Sequence, residues 1–105
     1  MRPMGEFIDF GKPEEIPPGK ARCRDVGKKR IAVFNVDGEF FAIDDTCTHA
    51  EASLSDGWLD GCVANCPLHG AQFDLKSGQS LAPPAFDPVK TYRVVVAEDS
   101  VRVEV

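Results

Sequence analysis

The sequence predicts a small all-β protein. Eight prolines and nine glycines interrupt the chain every few residues, so no stretch keeps the 3.6-residue periodicity of an amphipathic helix. The runs between these interruptions are rich in Val, Ile and Phe and alternate apolar with polar residues, as half-buried strands do. Two Asp-Gly pairs separate such runs, and this pair is typical of two-residue hairpin turns because glycine accepts a positive φ.

Three hairpins account for most of the predicted strands. Their turns are Asp37-Gly38, Asp60-Gly61 and, near the end of the chain, Glu98-Asp99. Segments 46–55, 67–71 and 82–88 lack the alternation of strands and are predicted to be loops. The predicted strands are 6–9, 21–26, 30–36, 39–44, 58–59, 62–65, 89–97 and 100–105.

The size and charge of the chain exclude several classes of protein. A chain of 105 residues fits one domain and leaves no room for the catalytic domain of a large enzyme. The net charge of −5 is opposite to that of a typical nucleic-acid-binding domain. No apolar run reaches the roughly 18 residues of a membrane helix, and residues 1–5 lack the apolar stretch of a signal peptide. We therefore expect a cytoplasmic protein that binds neither nucleic acid nor membrane.

Two of the predicted loops each carry one cysteine and one histidine. The pattern is Cys47-Thr48-His49, then 16 residues, then Cys66-Pro67-Leu68-His69. A surface loop has no core to fill, so these side chains indicate a function. Two thiolates and two imidazoles suit either a tetrahedral zinc ion or a [2Fe–2S] cluster. Zinc sites usually pair like with like, whereas each loop here mixes a Cys with a His, and this favours the cluster.

With Gly70 added, these two loops resemble the Rieske iron–sulfur signature. Similar flanking residues are Leu54-Ser55-Asp56-Gly57, Phe73-Asp74, Ser77-Gly78, the Pro83-Pro84 loop and the following 89–94, so the resemblance covers roughly 40–105. It implies one [2Fe–2S] cluster per chain. It further implies that Cys47 and Cys66 bind the inner iron and that His49 and His69 bind the outer iron.

The resemblance also implies the Rieske fold, an antiparallel β base with an inserted small cluster-binding subdomain. The single domain 1–105 would divide into a base of about 1–45 and 80–105 and a cluster-binding subdomain of about 46–79. The proline loop 82–84 would cover the cluster from a third side. Cys23 and Cys62 are expected to be buried or half-buried thiols, since cytosolic disulfides are rare. Trp58 is expected to pack in the core or the subdomain.

Charge is distributed unevenly along the chain. Six of the 12 basic residues lie within 20–30, and this segment is expected to be a solvated hairpin away from the cluster. Segment 31–75 has no Lys or Arg and a formal charge of −8. Such a run is often only a solvated surface, but this one contains all four candidate ligands, which favours a docking surface for a basic partner. Its eight acids are Asp37, Glu39, Asp44, Asp45, Glu51, Asp56, Asp60 and Asp74.

The residues near the candidate ligands indicate which kind of Rieske protein the chain resembles. High-potential respiratory members have two further cysteines that form a disulfide, where this chain has Ala52 and Leu68. They also have Ser and Tyr hydroxyls near the cluster, where this chain has Ala71 and Phe73. Hydrogen bonds to sulfur raise the reduction potential, so their absence predicts a low potential.

A low-potential protein of this size is similar to the ferredoxin components of bacterial aromatic-ring-hydroxylating dioxygenases. The resemblance implies a soluble one-electron carrier, with no catalytic site of its own, between a flavin-dependent ferredoxin reductase and the Rieske domain of a terminal oxygenase. A monomer is expected, because a carrier must dock and leave. Two alternatives stay open: the small subunit of an assimilatory nitrite reductase, and a redox or zinc-bound regulatory module.

Overall fold

The computed structural model describes residues 6–48, 52–68, 70–82 and 87–105. These residues form three antiparallel sheets and two short 3-10 turns, Pro13–Glu15 and Leu54–Asp56, which confirms the all-β prediction. The strands are β1 (Phe7–Asp9), β2 (Ala21–Val26), β3 (Lys29–Val36), β4 (Glu39–Asp44), β5 (Trp58–Asp60), β6 (Val63–Asn65), β7 (Gln72–Asp74), β8 (Ser80–Ala82), β9 (Thr91–Tyr92), β10 (Val94–Ala97) and β11 (Ser100–Glu104). Their orders in the three sheets are β1-β11-β10, β2-β3-β4-β9 and β5-β6-β7-β8.

Strand β3 is the centre of the molecule, since both of its faces are buried. Ile31 and Val33 pack with residues of β11 in one apolar cluster, and Ala32 and Phe34 pack with residues of β6 and β7 in a second cluster. Successive side chains of a strand point to opposite faces. The continuous apolar run of β3 therefore contributes to both clusters, and the second of them contains Cys47 and Cys66.

Turn chemistry sets the register of the hairpins. Asp37 and Gly38 both have positive φ, 51° and 93°, as the predicted two-residue turn between β3 and β4 requires. Glu98 and Asp99 have φ of 53° and 60° and join β10 to β11 in the same way. The turn between β5 and β6 lies one residue later than predicted, because Asp60 already pairs with Val63.

The structure divides one predicted strand in two and adds two strands that the sequence did not predict. The predicted strand 89–97 is two strands in different sheets: Tyr92 pairs with Ala42 of β4, whereas Val94 pairs with Val103 of β11. Strands β7 and β8 were not predicted, because each has three residues and too little alternation to be recognised. Pairing with β6 and with each other defines them. Among the described residues no helix is long and apolar enough to cross a membrane.

Candidate functional site

The two cysteine loops close in the same way. We call residues 47–52 loop 1 and residues 66–71 loop 2. The Cys47 N–H donates to the Ala52 carbonyl at 2.9 Å, and the Cys66 N–H donates to the Ala71 carbonyl at 2.7 Å. Each hydrogen bond joins a cysteine to the alanine five residues later. The two loops therefore have the same length, each is closed by the same backbone hydrogen bond, and each begins with its cysteine.

The two cysteine side chains lie together in the apolar interior. Cys47 is 3% exposed and Cys66 is fully buried, and their thiols are within hydrogen-bonding reach of each other. Burial raises the pKa of the Cys66 thiol, while the Leu68 N–H, which donates to its sulfur, acts in the opposite direction. Two adjacent, water-excluded sulfurs on separate loops are a donor set that suits an iron–sulfur cluster.

The other two predicted site residues, His49 and His69, lie outside the described residues, as do 50, 51 and 83–86. The structure thus brings together Cys47 and Cys66 of the predicted four. It also connects loop 1 to the segment that follows the proline-rich stretch, since the Thr48 hydroxyl donates to the Asp87 carbonyl at 3.0 Å.

A buried carboxylate fixes the chain on both sides of loop 1. Asp45 is fully buried and accepts hydrogen bonds from the Ser53 hydroxyl at 2.5 Å and the Ser55 N–H at 2.8 Å. Arg30 of β3 forms an ion pair with the same carboxylate, with 3.3 Å between its Nε and Oδ2. The expectation that all eight acids of segment 31–75 lie on a docking surface is therefore wrong for Asp45. No pattern in the sequence distinguishes this acid from the other acids of the segment.

Loop 2 projects from the hairpin of β6 and β7. At its base Asn65 pairs with Gln72 in the register of the two strands, and the Gln72 side-chain amide donates to Asn65 Oδ1 at 2.9 Å. The Asn65 amide in turn donates to the Trp58 carbonyl of β5 at 3.2 Å. Gly57, just before β5, approaches Asn65 so closely that a Cβ on it would lie 1.7 Å from the Asn65 carbonyl oxygen.

Trp58 does not pack in the core or the subdomain as expected, because its side chain is 58% exposed. It begins β5, which is an edge strand of its sheet, so its backbone is paired while its indole faces outward.

Cys23 and Cys62 are partly buried, and none of the four cysteines, all of them described, forms a disulfide. This confirms the expectation for both thiols. The Arg30 guanidinium donates to Cys23 Sγ at 3.0 Å.

The basic segment 20–30 was expected to lie away from the cluster, and the structure contradicts this for its last three residues. Ile31 pairs with Asp44 at the end of β4, and the Asp45 N–H donates to the Arg30 carbonyl at 2.7 Å. Lys28, Lys29 and Arg30 therefore line a shallow groove with Asp44 and Thr46, immediately before loop 1. Antiparallel pairing brings these residues together although they are far apart in the sequence.

Tyr92 is the only tyrosine of the chain and lies at this edge of the site. Its hydroxyl donates to Asp44 Oδ1 at 2.6 Å. Burial, followed by the hydrogen bond and the negative charge of Asp44, raises the pKa of Tyr92 well above its usual value near 10. We expect the phenolate absorbance near 295 nm to appear only well above pH 10 in the folded protein.

Because folding raises the pKa of Tyr92, the protonated tyrosine stabilises the folded protein fully at pH values below its unfolded pKa of about 10. This stabilisation is lost as the pH rises toward the pKa of Tyr92 in the folded protein. Unfolding in denaturant should therefore restore an ordinary tyrosine titration. A folded protein that forms its phenolate near pH 10 would contradict the partly buried Tyr92–Asp44 hydrogen bond.

Comparisons with known proteins agree with this geometry. Residues 6–93 match the family described as Rieske [2Fe-2S] domain. The 3-phenylpropionate/cinnamic acid dioxygenase ferredoxin subunit of Photorhabdus laumondii is 48% identical over 93 residues, 88% of each chain. The biphenyl dioxygenase ferredoxin subunit of a Pseudomonas species is 44% identical over 92 residues, 87% of this chain and 84% of the other.

Solved structures show the same similarity. A ferredoxin chain from a complex of reduced oxygenase and oxidised ferredoxin in carbazole 1,9a-dioxygenase superposes with a TM-score of 0.89 at 37% identity, covering 93% of this chain and 92% of that one. A structure assigned to the small subunit of an NADPH nitrite reductase gives a TM-score of 0.79 at 25% identity, with 95% and 99% covered.

Proposed function

Because the chain belongs to the Rieske [2Fe–2S] domain family, we propose that it is a one-electron carrier, the ferredoxin component of an aromatic-ring-hydroxylating dioxygenase. The observation that carries this proposal is the pair of adjacent buried thiols on two identically closed loops. In addition, nearly the whole length of the chain matches ferredoxin subunits. These relatives are electron-carrying subunits rather than the catalytic ones. The chain is therefore not itself an enzyme.

We assign the cluster ligands as Cys47 and Cys66 on one iron and His49 and His69 on the other. When bound, the [2Fe–2S] cluster accepts and releases one electron at a time. The residues of the chain position and shield it. The burial of both thiols excludes water, and the Asp45 hydrogen bonds hold the residues that follow loop 1. The division into a base of about 1–45 and 80–105 and a cluster-binding subdomain of about 46–79 stays a prediction.

The partner that receives the electrons is a terminal oxygenase, by analogy with the complex of oxygenase and ferredoxin named for the carbazole 1,9a-dioxygenase structure. A flavin-dependent reductase as electron donor, a monomeric state and a cytoplasmic location stay predictions. The nitrite reductase alternative has weaker support, since its structural relative shares 25% identity compared with 37% for the dioxygenase ferredoxin.

The proposed function is tested by single-turnover electron transfer. The protein is reduced anaerobically, mixed with the purified terminal oxygenase of an aromatic-ring-hydroxylating dioxygenase, and followed by the absorbance of both Rieske centres. We expect the oxygenase centre to become reduced as this protein is oxidised, with no aromatic product from this protein alone. Stable co-purification with a large sirohaem protein, together with no electron transfer to the oxygenase, would support the nitrite reductase alternative instead.

The reduction potential follows from the residues beside the cysteines. Ala71 and Phe73 are both fully buried, and neither side chain has a hydroxyl to donate. We expect a midpoint potential toward the lower end of the Rieske range of about −150 to +300 mV. The double substitution Ala71→Ser and Phe73→Tyr should raise it, because hydrogen bonds to sulfur stabilise the added electron.

A redox titration followed by visible circular dichroism measures this potential. A midpoint well above zero in the unmodified protein would contradict the prediction. So would a double variant that keeps its cluster and shows an unchanged potential.

A further inference from the structure

We propose that the ion pair of Arg30 with the buried Asp45 tunes the reduction potential of the cluster. Asp45 is a fixed negative charge at the base of loop 1, and Arg30 is its counter-charge. This inference rests on the proposed carrier function. It adds a pair of residues, outside the ligand set, that influences how readily the carrier accepts its electron.

Asp45 lies in the same water-excluded interior as the first cysteine. Asp45 is fully buried and Cys47 is 3% exposed, whereas Thr46 between them is exposed. This alternation places the two buried side chains on one side of the chain. Two residues of extended chain span at most about 7 Å. The carboxylate is therefore close to a proposed ligand, with no water between Asp45 and bulk solvent to weaken its field.

The partners of Asp45 suit a charged carboxylate. It accepts hydrogen bonds from the Ser53 hydroxyl and the Ser55 N–H and forms an ion pair with Arg30. All three partners act as donors, and an ionised aspartate is an acceptor only. Asp45 is the only acid that is buried among the described residues.

The Arg30 guanidinium is fixed at two points. Its Nε lies 3.3 Å from Asp45 Oδ2, and its Nη2 donates to Cys23 Sγ at 3.0 Å. The side chain is nevertheless 49% exposed, so solvent screens the charge of Arg30 more strongly than the charge of Asp45. Arg30 therefore offsets the negative charge of Asp45 only in part.

The other acids around loop 1 have a weaker influence because they face water. Asp44 is partly buried, and Asp25, Asp56 and Asp87 are exposed. A charge interaction is about fourfold weaker in water than at the effective dielectric constant of about 20 that applies within proteins. The sum of charges near loop 1 is therefore a poor guide to the potential, and the buried acid with its counter-charge matters most.

The two members of the pair act in opposite directions on the potential. Reduction adds one negative charge at the cluster. The Asp45 carboxylate repels that charge and lowers the potential, whereas the Arg30 guanidinium attracts it and raises the potential. A pair that only held loop 1 in place would not have this opposition, since the loss of either partner would loosen the same loop.

A redox titration of the holoprotein variants, followed by visible circular dichroism near pH 7, tests the inference. Arg30→Gln should lower the midpoint potential, because the amide can still donate to Asp45 but has no charge. Asp45→Asn should raise it, and the double variant should lie between the two single variants. Arg30→Lys keeps the charge and should stay closer to the unmodified protein than Arg30→Gln does.

Asp25→Asn is the matched control. Asp25 lies opposite Arg30 in the register of β2 and β3 and is exposed, so this substitution removes the same charge from a solvated position. Its shift should be no more than about one third of the shift caused by Asp45→Asn. Iron and sulfide contents are measured for every variant. If Asp45→Asn loses its cluster, Arg30→Gln and Arg30→Lys decide the question, because the half-exposed Arg30 side chain can be shortened without leaving a cavity.

Two results would overturn the inference: shifts of the same sign in Arg30→Gln and Asp45→Asn, or an unchanged potential in an Arg30→Gln protein that keeps its cluster. The proposed function fails on a different observation. Variants that shift as predicted, in a protein that does not reduce a terminal oxygenase, would refute the carrier function and leave the effect of the pair established.

Discussion

Replacing Cys66 by alanine is expected to remove the [2Fe–2S] cluster completely. Cys66 is fully buried, packs with Cys47 in the apolar interior, and begins loop 2. A [2Fe–2S] centre needs all four of its protein ligands, and alanine offers no lone pair to replace the thiolate. The measurement is the iron and acid-labile sulfide content of the purified protein, together with its visible absorption.

Cys62→Ala is the matched control for this substitution. Cys62 is a partly buried thiol four residues earlier, and burial raises the pKa of its thiol as it does for Cys66. It is not one of the proposed ligands, so this variant should keep equal amounts of iron and sulfide. A Cys66→Ala protein with full cluster content, or a Cys62→Ala protein without one, would contradict the ligand assignment. One zinc and no sulfide in the unmodified protein would support the zinc-bound regulatory alternative.

Gly57→Ala is expected to have the second largest effect, on stability and on loop 2 together. A Cβ at this position would lie 1.7 Å from the Asn65 carbonyl oxygen and 3.3 Å from Pro67 Cδ. The Asn65 carbonyl is backbone at the base of loop 2 and the Pro67 ring is bonded to the backbone of the loop, so neither can move aside without displacing Cys66 between them. We expect a loss of about 3 kcal/mol or more in the free energy of unfolding, measured by denaturant titration, and a reduced cluster content.

Gly38→Ala is the control that distinguishes this steric effect from the loss of a glycine's conformational freedom. Gly38 has a positive φ of 93° with nothing within 4 Å of an added Cβ, so alanine there costs only backbone strain of about 1–2 kcal/mol. Gly57 has an ordinary φ of −84°. The destabilisation by Gly57→Ala therefore comes from steric overlap of the added Cβ with Asn65. A Gly57→Ala protein as stable as the unmodified one, with its cluster intact, would show that β5 and loop 2 are not packed as described.

The sequence was sufficient for the features that depend on local chemistry. The turns at Asp37-Gly38 and Glu98-Asp99 and the two cysteine loops were all predicted from adjacent residues. It was insufficient wherever long-range pairing decides the outcome. The chain passes from one sheet to another between Tyr92 and Val94, because Tyr92 pairs with β4 and Val94 pairs with β11. A linear pattern of alternating apolar residues does not show which strand each part will pair with.

The charged residues illustrate the same limit at the site itself. Asp45 and Asp44 are neighbours in the sequence, yet one is fully buried and the other is only partly buried. Counting charge along segment 31–75 therefore overstated the acidity of the cluster end. It also missed Lys28 and Lys29, which the pairing of β3 with β4 brings next to loop 1. Sequence position alone could not place either group relative to the cysteines.

The most direct test of the central claim, a cluster held by two cysteines and two histidines, is the electron paramagnetic resonance spectrum of the dithionite-reduced protein. Histidine ligation on one iron changes the electronic structure of the reduced centre and raises its potential relative to an all-cysteine cluster. We predict a rhombic signal of one unpaired electron per cluster, with a lower average g value than that of an all-cysteine [2Fe–2S] protein. A signal with the higher average g of all-cysteine ligation, or no signal in a protein that contains zinc, would contradict it.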